Sequence, residues 1–177
     1  MPPVFDRRAN THSILDNFHF RIHEGTAWSW THRYEDVAAG ATIDTIFELS
    51  AGEMHLLGQV IGGAAARVDF MAVSSFTNGT SIAPHNHNGE FASHISSAYF
   101  HHTASVNVVG AVIVETIVGA AGAAGKAAGG NTGNFPEFLL EEGIYAVRFT
   151  NVSNGAADFV VDFEWYEPTN IGTPSGL

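Results

Sequence analysis

Apolar and polar side chains alternate with a period of two along most of this 177-residue chain. The clearest case lies in residues 158–166, where Phe159, Val161, Phe163 and Trp165 occupy every second position. Successive side chains of a β-strand point to opposite faces, so this pattern predicts a strand with one face in a core. No segment of twelve residues combines a helical period with capping residues, and an all-β fold is therefore expected.

Nine segments carry such a pattern and are predicted strands. In chain order they are residues 18–23, 27–34, 42–49, 54–61, 67–73, 91–100, 106–118, 144–150 and 158–166. Turn signals separate several of them, among them Gly62-Gly63, Asn78-Gly79 and the segment 151–155. Short strands with regular turns are typical of a jelly-roll-like antiparallel β-sandwich, with an up-and-down barrel as the alternative.

Segments without this alternation divide the chain. Residues 1–16 are predicted to form a short N-terminal arm, residues 17–167 the sandwich domain, and residues 168–177 a C-terminal tail. Inside the domain, residues 119–134 consist mainly of Gly and Ala and have almost no bulky side chains. They predict a long flexible loop, since such a segment has little with which to pack.

The N-terminal arm contains the candidate partner-binding residues. They are Pro2, Pro3, Val4, Phe5, Arg7 and Arg8. The prolines stiffen an extended chain and keep it out of a central strand, while the apolar side chains offer anchors and the arginines offer charge contacts. We expect a neighbouring subunit or a larger assembly to order this arm; a frayed tail is the alternative.

The charge of the chain argues against several classes of partner. It has 18 acidic and 7 basic side chains and a formal net charge of −11, so neither nucleic acid nor an anionic membrane surface is an expected partner. The first residues lack the apolar core of a signal peptide, and Asn107 and Glu115 interrupt the longest weakly apolar run. There is no cysteine, which removes disulfides and thiolate-bound metals.

The histidines suggest a metal site. Gly79 is followed after five residues by His85-Asn86-His87 and then by Glu90, which resembles the first metal motif of the cupins. On a strand, imidazoles at positions i and i+2 face one side, where a carboxylate can complete a divalent-metal site. The spacing to Glu90 is too short for that motif, and no histidine follows His102 to supply the second one. We expect no catalytic metal centre and no cofactor; otherwise His85, His87 and Glu90 are the candidate ligands.

Other catalytic or binding motifs are weaker. The chain has neither a Gly-x-Ser-x-Gly elbow nor a phosphate-binding loop, and Glu141-Glu142 indicates the entry to a strand. Trp28, Trp30 and Tyr34 share one strand face, where aromatic side chains belong to a core more often than to a sugar-binding shelf. No enzymatic activity is expected.

Several short motifs between residues 40 and 167 occur in a recognisable order. They are residues 42–49 followed by Ser50-Ala51-Gly52, then Thr77-Asn78-Gly79-Thr80, the Asn-x-Asn element Asn86-His87-Asn88, the run 138–151 and the closing Glu164-Trp165-Tyr166-Glu167. This set resembles small virion proteins of tailed bacteriophages, many of which are capsid decoration or cement proteins.

The resemblance implies a non-enzymatic protein on the outer capsid surface of the virion, bound to the major capsid protein as a homo-dimer or homo-trimer. Four of the seven basic residues lie in the first 33 positions: Arg7, Arg8, Arg21 and Arg33. That end of the chain is suited to contact an acidic capsid face. A fibre or receptor- or glycan-binding virion module is the alternative function, and a cupin-type metal-dependent enzyme is the third.

Overall fold

A computed structural model describes residues 4–6, 11–13, 17–62, 64–91, 93–118, 132–134 and 137–168 of the chain. The strands are β1 (Val4–Asp6), β2 (Thr11–Ser13), β3 (Ala27–Val37), β4 (Thr42–Gly62), β5 (Ala66–Thr77), β6 (Thr80–Ile82), β7 (His85–Asn86), β8 (Ala98–Val118), β9 (Thr132–Asn134), β10 (Phe138–Asn151) and β11 (Ala157–Tyr166). One α-helix, α1 (Asn17–His23), and one 3-10 turn (Gly89–Phe91) accompany them. No helix in these ranges is long and apolar enough to cross a membrane.

Nine of these strands form one curled antiparallel sheet in the order β6-β8-β5-β10-β4-β11-β3-β7, with β9 beside β4. The long strand β4 joins the two halves of this sheet, β6-β8-β5-β10 and β11-β3-β7. Its first half pairs with β10 and β8, and its second half pairs with β11 and β9. The predicted all-β, jelly-roll-like antiparallel fold is confirmed.

Aromatic side chains fill the core on one face of the curled sheet, as the alternation predicted. Phe159, Val161, Phe163 and Trp165 are at most 1% exposed, which confirms the assignment of this strand face to the core. The strand face of β3 is buried as well, with Trp28 at 5%, Trp30 at 3% and Tyr34 at 6% exposure. A smaller apolar cluster of Ile46, Met71, Val73 and Ala146 lies on the other face of β4, β5 and β10.

Residues 18–23 form helix α1 and not the predicted strand. The prediction was wrong because a short apolar pattern fits both periods: Phe18 and Ile22 are two positions apart from Phe20 and four positions apart from each other. The helical turn also brings Arg21 close to Glu24, three positions later. The Arg21 guanidinium pairs with the Glu24 carboxylate at 2.8 Å.

Other strand boundaries also differ from the prediction. Strand β4 continues through Ser50-Ala51-Gly52, where Gly52 has a φ of 78°. The predicted strand at residues 91–100 is replaced by the 3-10 turn and by the start of β8 at Ala98. Of the predicted loop 119–134, Thr132–Asn134 is strand β9 and pairs with residues 59–61 of β4; residues 119–131 lie outside the described residues.

In the arm, β1 and β2 pair with each other and not with the nine-stranded sheet. Of the candidate partner-binding residues, Pro2, Pro3, Arg7 and Arg8 lie outside the described residues, and only the backbone of Val4 and Phe5 is described. The arm hypothesis therefore stays a prediction. In the predicted tail, only Pro168 is described.

Candidate binding cleft

A surface cleft of about 470 Å³ lies where the short connection 83–84 joins β6 to β7. Because β6 and β7 are the two ends of the curled sheet, the cleft sits where the sheet fails to close on itself. Trp28 and Ala98 contribute core residues to its lining. The residues that line it include no Asp, Glu, Lys or Arg, so the histidines His85 and His94 are the lining residues of a type that titrates near neutral pH.

The Asn-x-Asn element builds one wall. The Asn86 side chain is buried, its Nδ2 donates to the Gly25 carbonyl at 2.8 Å, and its Oδ1 accepts from the Asn88 backbone N–H at 2.8 Å. The Asn88 Oδ1 in turn accepts from the Glu90 N–H at 3.0 Å. Asparagine side chains that bond to the backbone two residues ahead stabilise turns, so both asparagines have a structural role.

Gly25 allows this wall to approach the main sheet. Its φ of 70° is in the left-handed region, and a Cβ built on it would stand 2.4 Å from the Phe91 ring. Only glycine fits both the backbone conformation and the contact. The His94 ring also contacts the Gly25 carbonyl, with Nδ1 at 3.2 Å.

The carboxylate of Glu167 fixes the opposite wall. Its oxygens accept from the Ser96 hydroxyl at 2.5 Å, from the Ser97 backbone N–H at 3.1 Å and from the Trp165 indole Nε1–H at 3.1 Å. The Ser97 hydroxyl donates to the same group at 2.9 Å. Several donors converging on one carboxylate hold this segment in a single arrangement.

Large apolar side chains stand exposed around the cleft. Ile95 is 83% exposed although its neighbour Ser96 is buried, and Tyr99 is 48% exposed. We call Ile95 and Tyr99, which both line the cleft, the apolar rim. An apolar group of this kind on a hydrogen-bonded wall is typical of an interaction surface.

Of the three candidate metal ligands, His85 and His87 have ring centroids 6.5 Å apart. His85 lines the cleft, whereas His87 packs edge-on against Phe18 of α1 with ring centroids 5.7 Å apart. Glu90 is exposed on the 3-10 turn. Strand β7 ends at Asn86, so the strand rule that places positions i and i+2 on one side does not apply to His87. In the described part of the chain, no group of three His, Asp or Glu side chains is placed to hold a metal ion.

Sequence reasoning missed two clusters because their members come from distant strands. His32 of β3 stacks on His102 of β8 with ring centroids 4.0 Å apart, and burial together with His102 lowers the pKa of His32. Glu137 accepts at 2.8 Å from the Tyr166 hydroxyl and contacts His55 Nδ1 at 2.8 Å. Hydrogen bonds to Tyr166 and His55 lower the pKa of Glu137, so this carboxylate joins β4 to the end of β11 as an anion.

No family model, curated protein or solved structure matches this chain. The cleft and its rim are therefore the features of this molecule that point to a function. Its neutral lining and fixed walls are suited to binding a preformed surface, and its unpaired apolar side chains supply the contact area.

Proposed function

We propose that this protein is a capsid decoration, or cement, protein of a tailed bacteriophage. It binds the major capsid protein on the outer surface of the virion shell and has no enzymatic activity. The apolar rim is the observation that carries this proposal, because Ile95 and Tyr99 are exposed on a wall that Glu167 holds in place. Two of the motifs that resemble virion proteins meet at the cleft: Asn86 and Asn88 of residues 86–88 line it, and Glu167 of residues 164–167 holds the lining residue Ser96.

Stabilisation of the shell follows from mass action. A protein that binds only the assembled shell stabilises that state by about 2.7 kcal/mol per site when its free concentration is a hundred times Kd. About 800 Å² on each partner is enough for a specific interface, and fixed walls reduce the entropy lost on binding. The net charge of −11 keeps such a protein from collecting nucleic acid non-specifically.

Shell binding tests the proposal directly. Ile95→Asp places a charge in the apolar rim without touching the core, since Ile95 is 83% exposed. We expect it to abolish occupancy on purified undecorated shells, measured by co-sedimentation, and to leave the melting temperature of the free protein unchanged. Val152→Asp is the matched control, because Val152 is 53% exposed in the turn between β10 and β11. Equal occupancy for Ile95→Asp and the wild type would refute the proposal.

A fibre or receptor- or glycan-binding module is the second candidate. The ring of Tyr99 is half exposed beside Ser81 and Asn88, and aromatic rings next to hydrogen-bonding groups can bind neutral sugars. Trp28 and Trp30 cannot provide that shelf, since they are buried. This candidate would be favoured over shell binding if the protein bound host cells or oligosaccharides. Tyr99→Ala, which removes the ring, should then weaken that binding more than Tyr99→Phe, which removes only the hydroxyl. The cupin-type enzyme gains no support from the positions of His85 and His87.

A further inference from the structure

Strand β3 has an open edge. One side pairs with β11 along its whole length, from Ala27 to Val37. The other side pairs with β7 at Trp28 and Ser29 only, and beyond Ser29 no backbone partner occupies it among the described residues. An unpaired strand edge presents N–H and C=O groups that can pair with another chain.

The backbone groups that point outward can be identified. The Ala27 carbonyl accepts from the His87 N–H at 3.0 Å, so Ala27 faces the β7 side of the strand. Alternate residues of a strand direct their N–H and C=O groups to the same edge, and Thr31, Arg33 and Glu35 therefore face the open edge. A bulge ends this stretch, since Asp36 has a φ of 52° and its N–H is bonded to the Asp158 carboxylate.

We propose that this edge pairs with the β3 edge of a second copy of the chain, antiparallel about a two-fold axis at Tyr34. Arg33 and Glu35 carry opposite charges on the outer face; they pair with each other at 3.5 Å within the chain, and their side chains stay 59% and 68% exposed. In this register each Arg33 lies opposite Glu35 of the second copy, and both pairs attract. The two chains then share one continuous sheet.

Two neighbouring registers are excluded, one by repulsion between like charges and the other because β7 already covers part of the β3 edge. An axis at Arg33 would place the two guanidinium groups opposite each other, and like charges directly opposite are destabilising. An axis at His32 would place Glu35 opposite Ser29, which β7 already covers. The apolar rim remains free, because Trp28 at the cleft is about 20 Å along the strand from Tyr34. The dimer does not depend on the proposed function.

Charge exchange tests the register. Arg33→Glu and Glu35→Arg each place like charges across the axis, so each variant alone should be monomeric under conditions in which the wild type dimerises. An equimolar mixture restores both opposite-charge pairs and should give a 1:1 heterodimer, identified by sedimentation velocity and native mass spectrometry. Glu53→Arg is the matched control, because it makes the same change in net charge as Glu35→Arg at an exposed position of β4 and should dimerise like the wild type.

Three results would overturn the proposal: a wild type that stays monomeric up to its solubility limit, single variants that still dimerise, or a mixture that stays monomeric. Arg33 also donates to Asp158 at 2.6 Å, so the melting temperature of Arg33→Glu must be measured beside its assembly state. Glu35→Arg leaves that contact in place and tests the register by itself should Arg33→Glu not fold.

Discussion

Charged and titratable side chains inside the described part of the fold either form ion pairs with opposite charges or stack on each other without a carboxylate partner. The guanidinium of Arg148 donates to both oxygens of buried Asp44, at 2.7 and 2.9 Å, and lies between Asp44 and Asp69 in the ladder. That arrangement keeps opposite charges together across three strands. The stacked His32 and His102 rings have no such carboxylate partner among the described residues, and the Nδ1 atom of His102 is buried without a hydrogen bond.

The histidine pair predicts a pH-dependent stability. Burial, and then the charge of His102, lower the pKa of His32 below its ordinary value of 6.5. As the pH falls below about 6.5, the His32 ring therefore takes up a proton more readily in the unfolded chain than in the folded one. The free energy of unfolding decreases over this range until the pH is below the lowered pKa of the folded state. Two described neighbours of the pair are neutral: Tyr34 of β3, which bonds to Thr45 of β4, and Val161 of β11, which lies opposite His32 in the ladder.

His32→Phe keeps an aromatic ring and removes the titration. We expect the urea midpoint of this variant to fall less than that of the wild type between pH 7 and pH 5. His23→Gln, at an exposed histidine of α1, should follow the wild type. Parallel pH profiles for His32→Phe and the wild type would show that the stack does not resist protonation.

At the scale of elements, the position of a strand or loop follows from its partners more than from its own pattern. The segment 85–94 contains two turn-forming asparagines and the 3-10 turn, yet it is held against β3 and the end of α1 by contacts to Gly25 and Ala27. Its docking therefore depends on a residue more than sixty positions earlier in the chain.

A comparison of Gly25→Ala with Gly40→Ala should separate two contributions to the free energy of unfolding: the strain of a left-handed backbone, and the packing of Phe91 against residue 25. A left-handed conformation costs a residue with a Cβ about 1–2 kcal/mol. Gly40 has a φ of 76° with nothing within 4 Å of its built Cβ, so Gly40→Ala should show only that term. Gly25→Ala should cost more, since its Cβ meets the Phe91 ring at 2.4 Å. Chemical denaturation checks both, and equal losses would contradict a tight contact between Phe91 and Gly25.

The whole molecule combines a rigid sheet, an acidic composition and an arm outside the main sheet. Strands β1 and β2 pair only with each other in the described structure, so the sandwich does not use them to complete its ladders. A two-stranded hairpin on its own is marginally stable at best in water. The arm hypothesis predicts that a neighbouring subunit or the shell orders it.

Deletion of residues 2–12 tests the arm at this scale. We expect a lower occupancy on purified shells and a less heat-resistant particle, with an unchanged melting temperature for the free protein. Arg7→Ala with Arg8→Ala in the full-length chain is the matched variant that removes only the charges. Full occupancy and unchanged heat resistance after the deletion would show that the arm has no role in binding.

The sequence by itself determined which strand faces enter the core. Alternation is a local property, and a face carrying Phe159, Phe163 and Trp165 has to be buried wherever its strand lies. It also determined the turn at residues 151–155, where Asn151 bonds to its own loop through Ser153 and Gly155. The same local pattern could not distinguish helix from strand in residues 18–23, because that segment is too short to separate the two periods.

Only the tertiary structure decided the cleft, the histidine stack and the open edge of β3. Ser96 and Glu167 are 71 positions apart, and His32 meets His102 only because β8 packs across β3. Such contacts depend on which strands pair and in what register, and the sum of many weak cross-strand contacts sets that register. Residues such as Ile95 and Arg33 look ordinary in the sequence, and they acquire a possible role only from the neighbours that the folded sheet gives them or leaves out.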